Sequence, residues 1–157
     1  MLLKISLPRI GDMIMVECRS GEKDAGKLVR AAEKLGTPAL FLNHGVLCCK
    51  KQAELAFLLA REAFMERKNI SGKLSNEALL FLACETNFSS ALRKIGAKDG
   101  KEFVLVCEKS VPIAKLKKQL NLTKAAPLAL TEWGKRKGNY TEGELACERM
   151  ALERIMN

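Results

Sequence analysis

From Leu47 to Lys68 the chain contains neither proline nor glycine. A stretch that long without a breaker satisfies its backbone most readily as a helix. Leu55, Leu58, Leu59, Ala63 and Phe64 supply one apolar face, and Lys50, Lys51, Glu54, Arg61, Arg67 and Lys68 supply the other. This predicts the longest helix of the molecule. It also constrains the rest, because an amphipathic helix has to lay its apolar stripe on a second layer.

The neighbouring segments supply that layer. Asn69-Ile70-Ser71-Gly72-Lys73 breaks the long helix, and a second one starts near Ser75 and runs through Ala78, Leu79, Leu80, Leu82 and Ala83. Being apolar nearly all round, it is expected at the centre. Thr86 or Asn87 can cap a third helix, since either side chain accepts from an orphan backbone N–H. Phe88, Ala91, Leu92 and Ile95 then recur at helical spacing before Gly96.

Upstream, Leu3, Ile5 and Leu7 alternate with Lys4 and Ser6 as in a strand, and Met13 to Cys18 is a second apolar run. Pro8 and Gly11-Asp12 lie between them and suggest a hairpin. Ser20 is a candidate cap for a helix carrying Ala25, Leu28, Val29, Ala32 and Leu35, closed by Gly36. Pro38 to Leu42 reads as a third strand followed by the turn Asn43-His44-Gly45. Downstream, the run Phe103 to Cys107 is the most strand-like in the sequence. Pro112 opens a short helix with Ile113, Leu116 and Leu120 on its apolar side and Lys115, Lys117, Lys118 and Lys124 making it basic. Periodicity is weak from Pro127 to Tyr140, where GKRKGN reads as a solvated loop. Thr141 with Glu144 has the spacing of a capping box and launches a last helix.

At 157 residues this is enough chain for one core. The order of elements lacks the regular alternation and glycine-rich first turn of a doubly wound nucleotide-binding sheet. The expectation is α/β: a single small mixed domain over residues 1–157, with a few-stranded sheet packed with several helices. No apolar run approaches the roughly 20 residues that span a bilayer, and the amino terminus lacks the continuous apolar core of a secretory leader, so a cytoplasmic protein without a membrane partner is expected.

The chemistry-bearing residues are sparse. The six cysteines include no CxxC pair, and only Cys48 and Cys49 are neighbours. Reduced, mostly buried thiols are therefore expected rather than a disulfide framework or a zinc site. His44 is the single histidine. Paired with Cys48 or Cys49 it would make a nucleophile and base, but no third group follows in sequence. Phosphate-loop and nucleophile-elbow motifs are missing. The expectation is a non-enzyme with no cofactor, no metal and no small-molecule substrate, whose work is binding.

The formal net charge of +9 selects an anionic partner, most economically nucleic acid, because neutralising phosphates releases counterions. Lys109, Lys115, Lys117, Lys118, Lys124, Lys135, Arg136 and Lys137 concentrate in the last third. With 5% aromatic residues, a sheet platform stacking several bases is not expected. A helical surface touching phosphates with one or two stacking residues, such as Phe88, remains open, although Phe88 is expected rather to pack in the core.

The run ELAFLLAREAFMERKNIS followed by SNEALLFLACETNFSSALRKIGAKDG resembles the small kinase-binding subunit of the KEOPS complex. Asn69-Ile70-Ser71, Glu77, Ala91 and Gly96 match that family's order of motifs. Glu148, Arg149, Ala151 and Leu152 in CERMALERI match its closing segment. Where the family usually has Arg-Gln-Ile, this chain has Thr86-Asn87-Phe88. The resemblance implies a non-catalytic subunit of the machinery that makes threonylcarbamoyladenosine in tRNA, docked on the complex's kinase-like ATPase subunit and helping to hold the tRNA 3′ end. The candidate partner-binding residues are Phe88, Leu92, Ile95, Arg149, Met150 and Leu152. The candidate RNA-binding residues are Arg61, Arg67, Lys68, Lys73, Asn87, Phe88, Arg93 and Lys94. A stand-alone basic RNA-binding module is the alternative, and a thiol enzyme using Cys48 or Cys49 with His44 comes third.

Overall fold

Strand β1 (Met13–Ser20) is the one around which the sheet is built. On one side it pairs antiparallel with β3 (Phe103–Glu108), from Met13 opposite Glu108 to Cys18 opposite Phe103. On the other it pairs antiparallel with β4 (Leu122–Pro127), with a register shift at Arg19/Ser20. Strand β2 (Ala39–Leu42) extends the sheet from β3, giving the order β2-β3-β1-β4. The computed structural model describes residues 13–34, 36, 38–108 and 113–156. The strand expected at Leu3 to Leu7, its hairpin with Met13 to Cys18, and Leu35, Lys109 and Pro112 lie outside the described residues.

Because side chains alternate across a strand, the sheet has two apolar faces, and both are covered. Val16, Cys18, Phe41, Phe103, Leu105 and Cys107 point to one side. There they meet Leu28 and Ala32 of α1 (Ala25–Glu33) and Leu116 of α5 (Ile113–Gln119). Leu40, Leu42, Val104 and Val106 point the other way. They meet α2 (Lys50–Met65), α3 (Leu74–Ala83), α4 (Phe88–Ile95) and α6 (Glu142–Met156). The result is a single small mixed α/β domain in three layers, the class expected from sequence. No helix among the described residues is long and apolar enough to cross a membrane.

Helix α3 is central as expected, with every residue from Glu77 to Ala83 buried. Helix α2 departs from expectation in its buried face, which is Ala53, Ala56, Phe57, Ala60 and Ala63, with Gln52. Small side chains let α2 approach α3 closely, while Leu55 and Leu59 lie half-buried at the edge of the core.

The caps divide the same way. Asn87 caps α4, its Oδ1 accepting from Ser90 N at 3.0 Å. The capping box at α6 forms, with Thr141 Oγ1 accepting from Glu144 N at 3.1 Å and Glu144 Oε2 accepting from Thr141 N at 2.7 Å. Ser20, however, does not cap α1. That role belongs to Asp24, whose Oδ1 accepts from Gly26 N at 2.8 Å, while the Ser20 hydroxyl donates to Leu120 O at 2.7 Å and ties β1 to the end of α5.

Two elements differ from expectation. Lys124, assigned to a basic helix from sequence, lies on β4. GKRKGN is no irregular loop but the core of a hairpin, β5 (Arg136–Lys137) with β6 (Tyr140–Thr141).

Candidate docking and RNA-contact surfaces

Four of the residues singled out from sequence meet at one place. A cavity of about 110 Å³ between α2, α3, α4 and α6 is lined by Lys94, Ile95, Arg149 and Met150, together with Gln52 and Cys84. Lys94 is held there by its Nζ donating to Ala83 O at 2.8 Å and lying 3.6 Å from Glu85 Oε1. The end of α4 is fixed by the sheet: Asn43 N donates to Ile95 O and Ala97 N to Phe41 O, both at 2.9 Å. Gly96 between them is required by space, since a Cβ there would sit 2.6 Å from Leu92 O.

This geometry changes the roles expected of two residues. Met150 is 1% exposed and Ile95 is buried, so both belong to the core that supports the surface and neither can anchor a partner directly. Periodicity identifies the helices and is silent on which half of each apolar stripe is covered. Exposed apolar surface is instead offered by Phe88 (39%) and Leu92 (44%), one turn apart on α4, and by Leu145 and Leu152 on α6 with exposed Arg149 between them.

Phe88 and Leu92 rim a second, mostly apolar cavity of about 120 Å³ whose walls include Val29 of α1, Phe41 of β2 and Leu79 of α3. An apolar stripe would ordinarily carry Phe88 into the core, but it stands at the mouth of this groove with its ring part-exposed. Asn87 beside it commits its side-chain oxygen to the helix cap. Arg93 is exposed on the same helix, with Nη2 3.5 Å from Ser90 Oγ.

Three of the four remaining basic candidates gather at the turn between α2 and α3. Arg67 adopts a left-handed backbone with φ 58°, which turns the chain sharply out of α2. Lys68 pairs with Glu66 at 3.0 Å, and Lys73 pairs with Glu33 of α1. Arg61 is half-buried on the body of α2. The turn is organised from within by Glu77, a fully buried carboxylate that accepts from Ser71 N at 2.8 Å and Ile70 N at 3.1 Å. Two parts of the sequence motif, Asn69-Ile70-Ser71 and Glu77, are therefore one structural unit. Met65 and Ile70 project from this turn as exposed apolar side chains, a feature that the helical pattern could not reveal because they sit at and beyond the helix end.

Cys48 and the histidine engage different partners. His44 Nδ1 lies 3.5 Å from Glu17 Oε1 on the sheet side of its turn, whereas Cys48 Sγ lies 3.3 Å from Gln52 Oε1. Burial, followed by the neighbouring Cys49, pushes the Cys48 thiol up to about 11, which is away from the thiolate that nucleophilic chemistry needs. No cluster of three or more His, Cys, Asp or Glu side chains that could hold a metal occurs among the described residues.

No protein-family model matches the chain, and no curated protein matches it significantly.

Proposed function

We propose that this chain is a non-catalytic subunit of a KEOPS-type complex for threonylcarbamoyladenosine modification of tRNA, binding and supporting the kinase-like ATPase subunit and helping to hold the tRNA 3′ end in the cytoplasm. The observation that carries the reading is the ordered set of motifs: Asn69-Ile70-Ser71, Glu77, Ala91 and Gly96, closed by Glu148, Arg149, Ala151 and Leu152. The packing of those motifs supports it. Glu77 holds the Ile70-Ser71 turn, Gly96 ends α4 against the sheet, and Arg149 shares a cavity with Lys94.

In this reading the partner meets Phe88 and Leu92 of α4 and Leu152 with Arg149 of α6, since interfaces place aliphatic and aromatic anchors inside a polar rim. The RNA meets the cations Arg61, Arg67, Lys68, Lys73, Arg93 and Lys94, with Phe88 able to stack on an unpaired base. Capture of the kinase-like subunit tests the first half. Leu92→Glu combined with Leu152→Glu should abolish capture while the circular dichroism stays native, and capture at wild-type affinity overturns the reading. Titration with intact and 3′-truncated tRNA tests the second half, with weaker binding of the truncated form expected.

The net charge of +9 alone favours the second reading, a stand-alone basic RNA-binding module. It predicts salt-sensitive RNA binding, equal for intact and truncated tRNA, and no protein partner.

A further inference from the structure

The chain has one tryptophan and one tyrosine, and both sit on the surface of the same small unit. Trp133 is 41% exposed and Tyr140 is 59% exposed, on either side of Gly134-Lys135-Arg136-Lys137-Gly138. We propose that the β5–β6 hairpin is a binding surface for single-stranded nucleic acid, with Trp133 and Tyr140 stacking on bases and Lys135, Arg136 and Lys137 meeting phosphates.

The unit is built as a fixed platform. Lys137 pairs with Tyr140 and Arg136 with Thr141 across the hairpin, and the ribbon continues as Glu142 N donates to Lys135 O at 2.8 Å and Gly143 N to Trp133 O at 2.8 Å. Gly143 permits that last approach, because a Cβ there would lie 2.5 Å from Trp133 O and 2.6 Å from Cys49 Sγ. Thr131 O and Glu132 O accept from Lys50 N and Lys51 N, so the segment before Trp133 closes the start of α2, which has no side-chain cap. A backbone held this way presents its aromatic side chains without the entropic cost of first ordering a loop.

The charges are arranged to match. Each nearby carboxylate is already engaged within the protein. Glu132 pairs with Lys51, Glu144 serves the capping box, and Glu142 accepts from Lys135 N and lies 3.6 Å from Lys137 Nζ. Among the described residues Lys135 has no ion pair, while Arg136 donates from Nε to Gly138 O at 3.1 Å and its charge helps to lower the Glu144 carboxyl. Two exposed aromatic side chains flanking three exposed cations fit a strand whose bases are unstacked and whose phosphates are accessible. A duplex hides its base faces. An acidic peptide offers charge and no rings.

This surface is independent of the reading proposed above. It lies at the start of α2, whereas Arg67, Lys68 and Lys73 lie around its far end, about 24 Å away for a helix of 16 residues.

The test is fluorescence anisotropy of a labelled 12-nucleotide oligo(U) RNA with the full chain, paired with the intrinsic emission of Trp133, the sole tryptophan. Saturable binding with quenching of that emission is expected. Trp133→Leu/Tyr140→Leu should weaken binding roughly thirty-fold or more, the scale of two lost stacked bases, while Trp133→Phe/Tyr140→Phe stays within about three-fold. Lys135→Ala/Arg136→Ala/Lys137→Ala should flatten the slope of log K against log salt by about 2. All variants should keep native circular dichroism and unchanged capture of the kinase-like partner, which separates failure here from failure of that reading. Absence of binding, binding without quenching, an unaffected double-Leu variant, or equal binding of a 12-base-pair RNA duplex, polyphosphate or poly-glutamate overturns the proposal.

Discussion

Glu77 is the residue whose chemistry most exceeds what its position in the sequence announces. A carboxylate with no exposure sits at the start of the buried, apolar stretch of its helix and accepts from the amides of Ile70 and Ser71. Glu77→Ala would leave those part-buried donors without this acceptor, at a cost of roughly 1–3 kcal/mol. Urea unfolding should show the midpoint falling with little change in slope. The matching contrast lies on α4. Ile95→Glu would bury a charge against the sheet and unfold the domain, whereas Leu92→Glu, three residues earlier and part-exposed, should keep the fold and lose only docking. Thermal melts of the two variants distinguish these outcomes directly. In sequence the two positions look alike, since 88, 91, 92 and 95 fall on a single stripe. Contact with α3 and the sheet buries Ala91 and Ile95 and leaves Phe88 and Leu92 at the rim.

Among elements, α6 depends on its first turn. Glu144 takes bonds from the amide and hydroxyl of Thr141, which hold its carboxyl below the usual range. Thr141→Ala should destabilise the helix by about 1 kcal/mol, read as a lower thermal midpoint. The linkage also has a sign. A lowered carboxyl contributes stability above its unfolded pKa and loses it as pH falls through the folded value, so the difference between wild type and Thr141→Ala should shrink in acid. Capping is legible here because Thr-x-x-Glu is a local pattern. Asn87 is legible for the same reason, whereas Ser20 looks like the cap of α1 only because nothing local shows that its hydroxyl is taken by a carbonyl far along the chain. Strand β4 is hidden because LTKAAP has no run of β-branched residues and becomes a strand through its pairing with β1. The β5–β6 hairpin is hidden because two residues per strand carry no periodicity, so a candidate surface that combines aromatics and cations reads in sequence as plain loop.

For the molecule as a whole, buried thiols set an alkaline limit. Burial pushes Cys18 up to about 12 and Cys107 up to about 11 from an ordinary value of 9.0. The folded state therefore holds protons that the unfolded chain releases. That contribution is intact below pH 9 and is lost as pH rises toward 11–12. Unfolding midpoints in reductant should fall across that window, and Cys18→Ala/Cys107→Ala should flatten the fall even though it lowers stability overall.

The sheet's topology carries a further consequence, in time rather than in space. Met13 finds its partner at Glu108, and Val16 finds its second partner at Pro127. This strand of the sheet is synthesised well before the two strands that it pairs with. At about 5–20 residues per second on the ribosome, β1 waits several seconds for β3 while α2, α3 and α4 have already emerged and can pack locally. Refolding should accordingly show the helical signal returning ahead of the sheet, with the slow phase governed by closing a loop on the order of 100 residues.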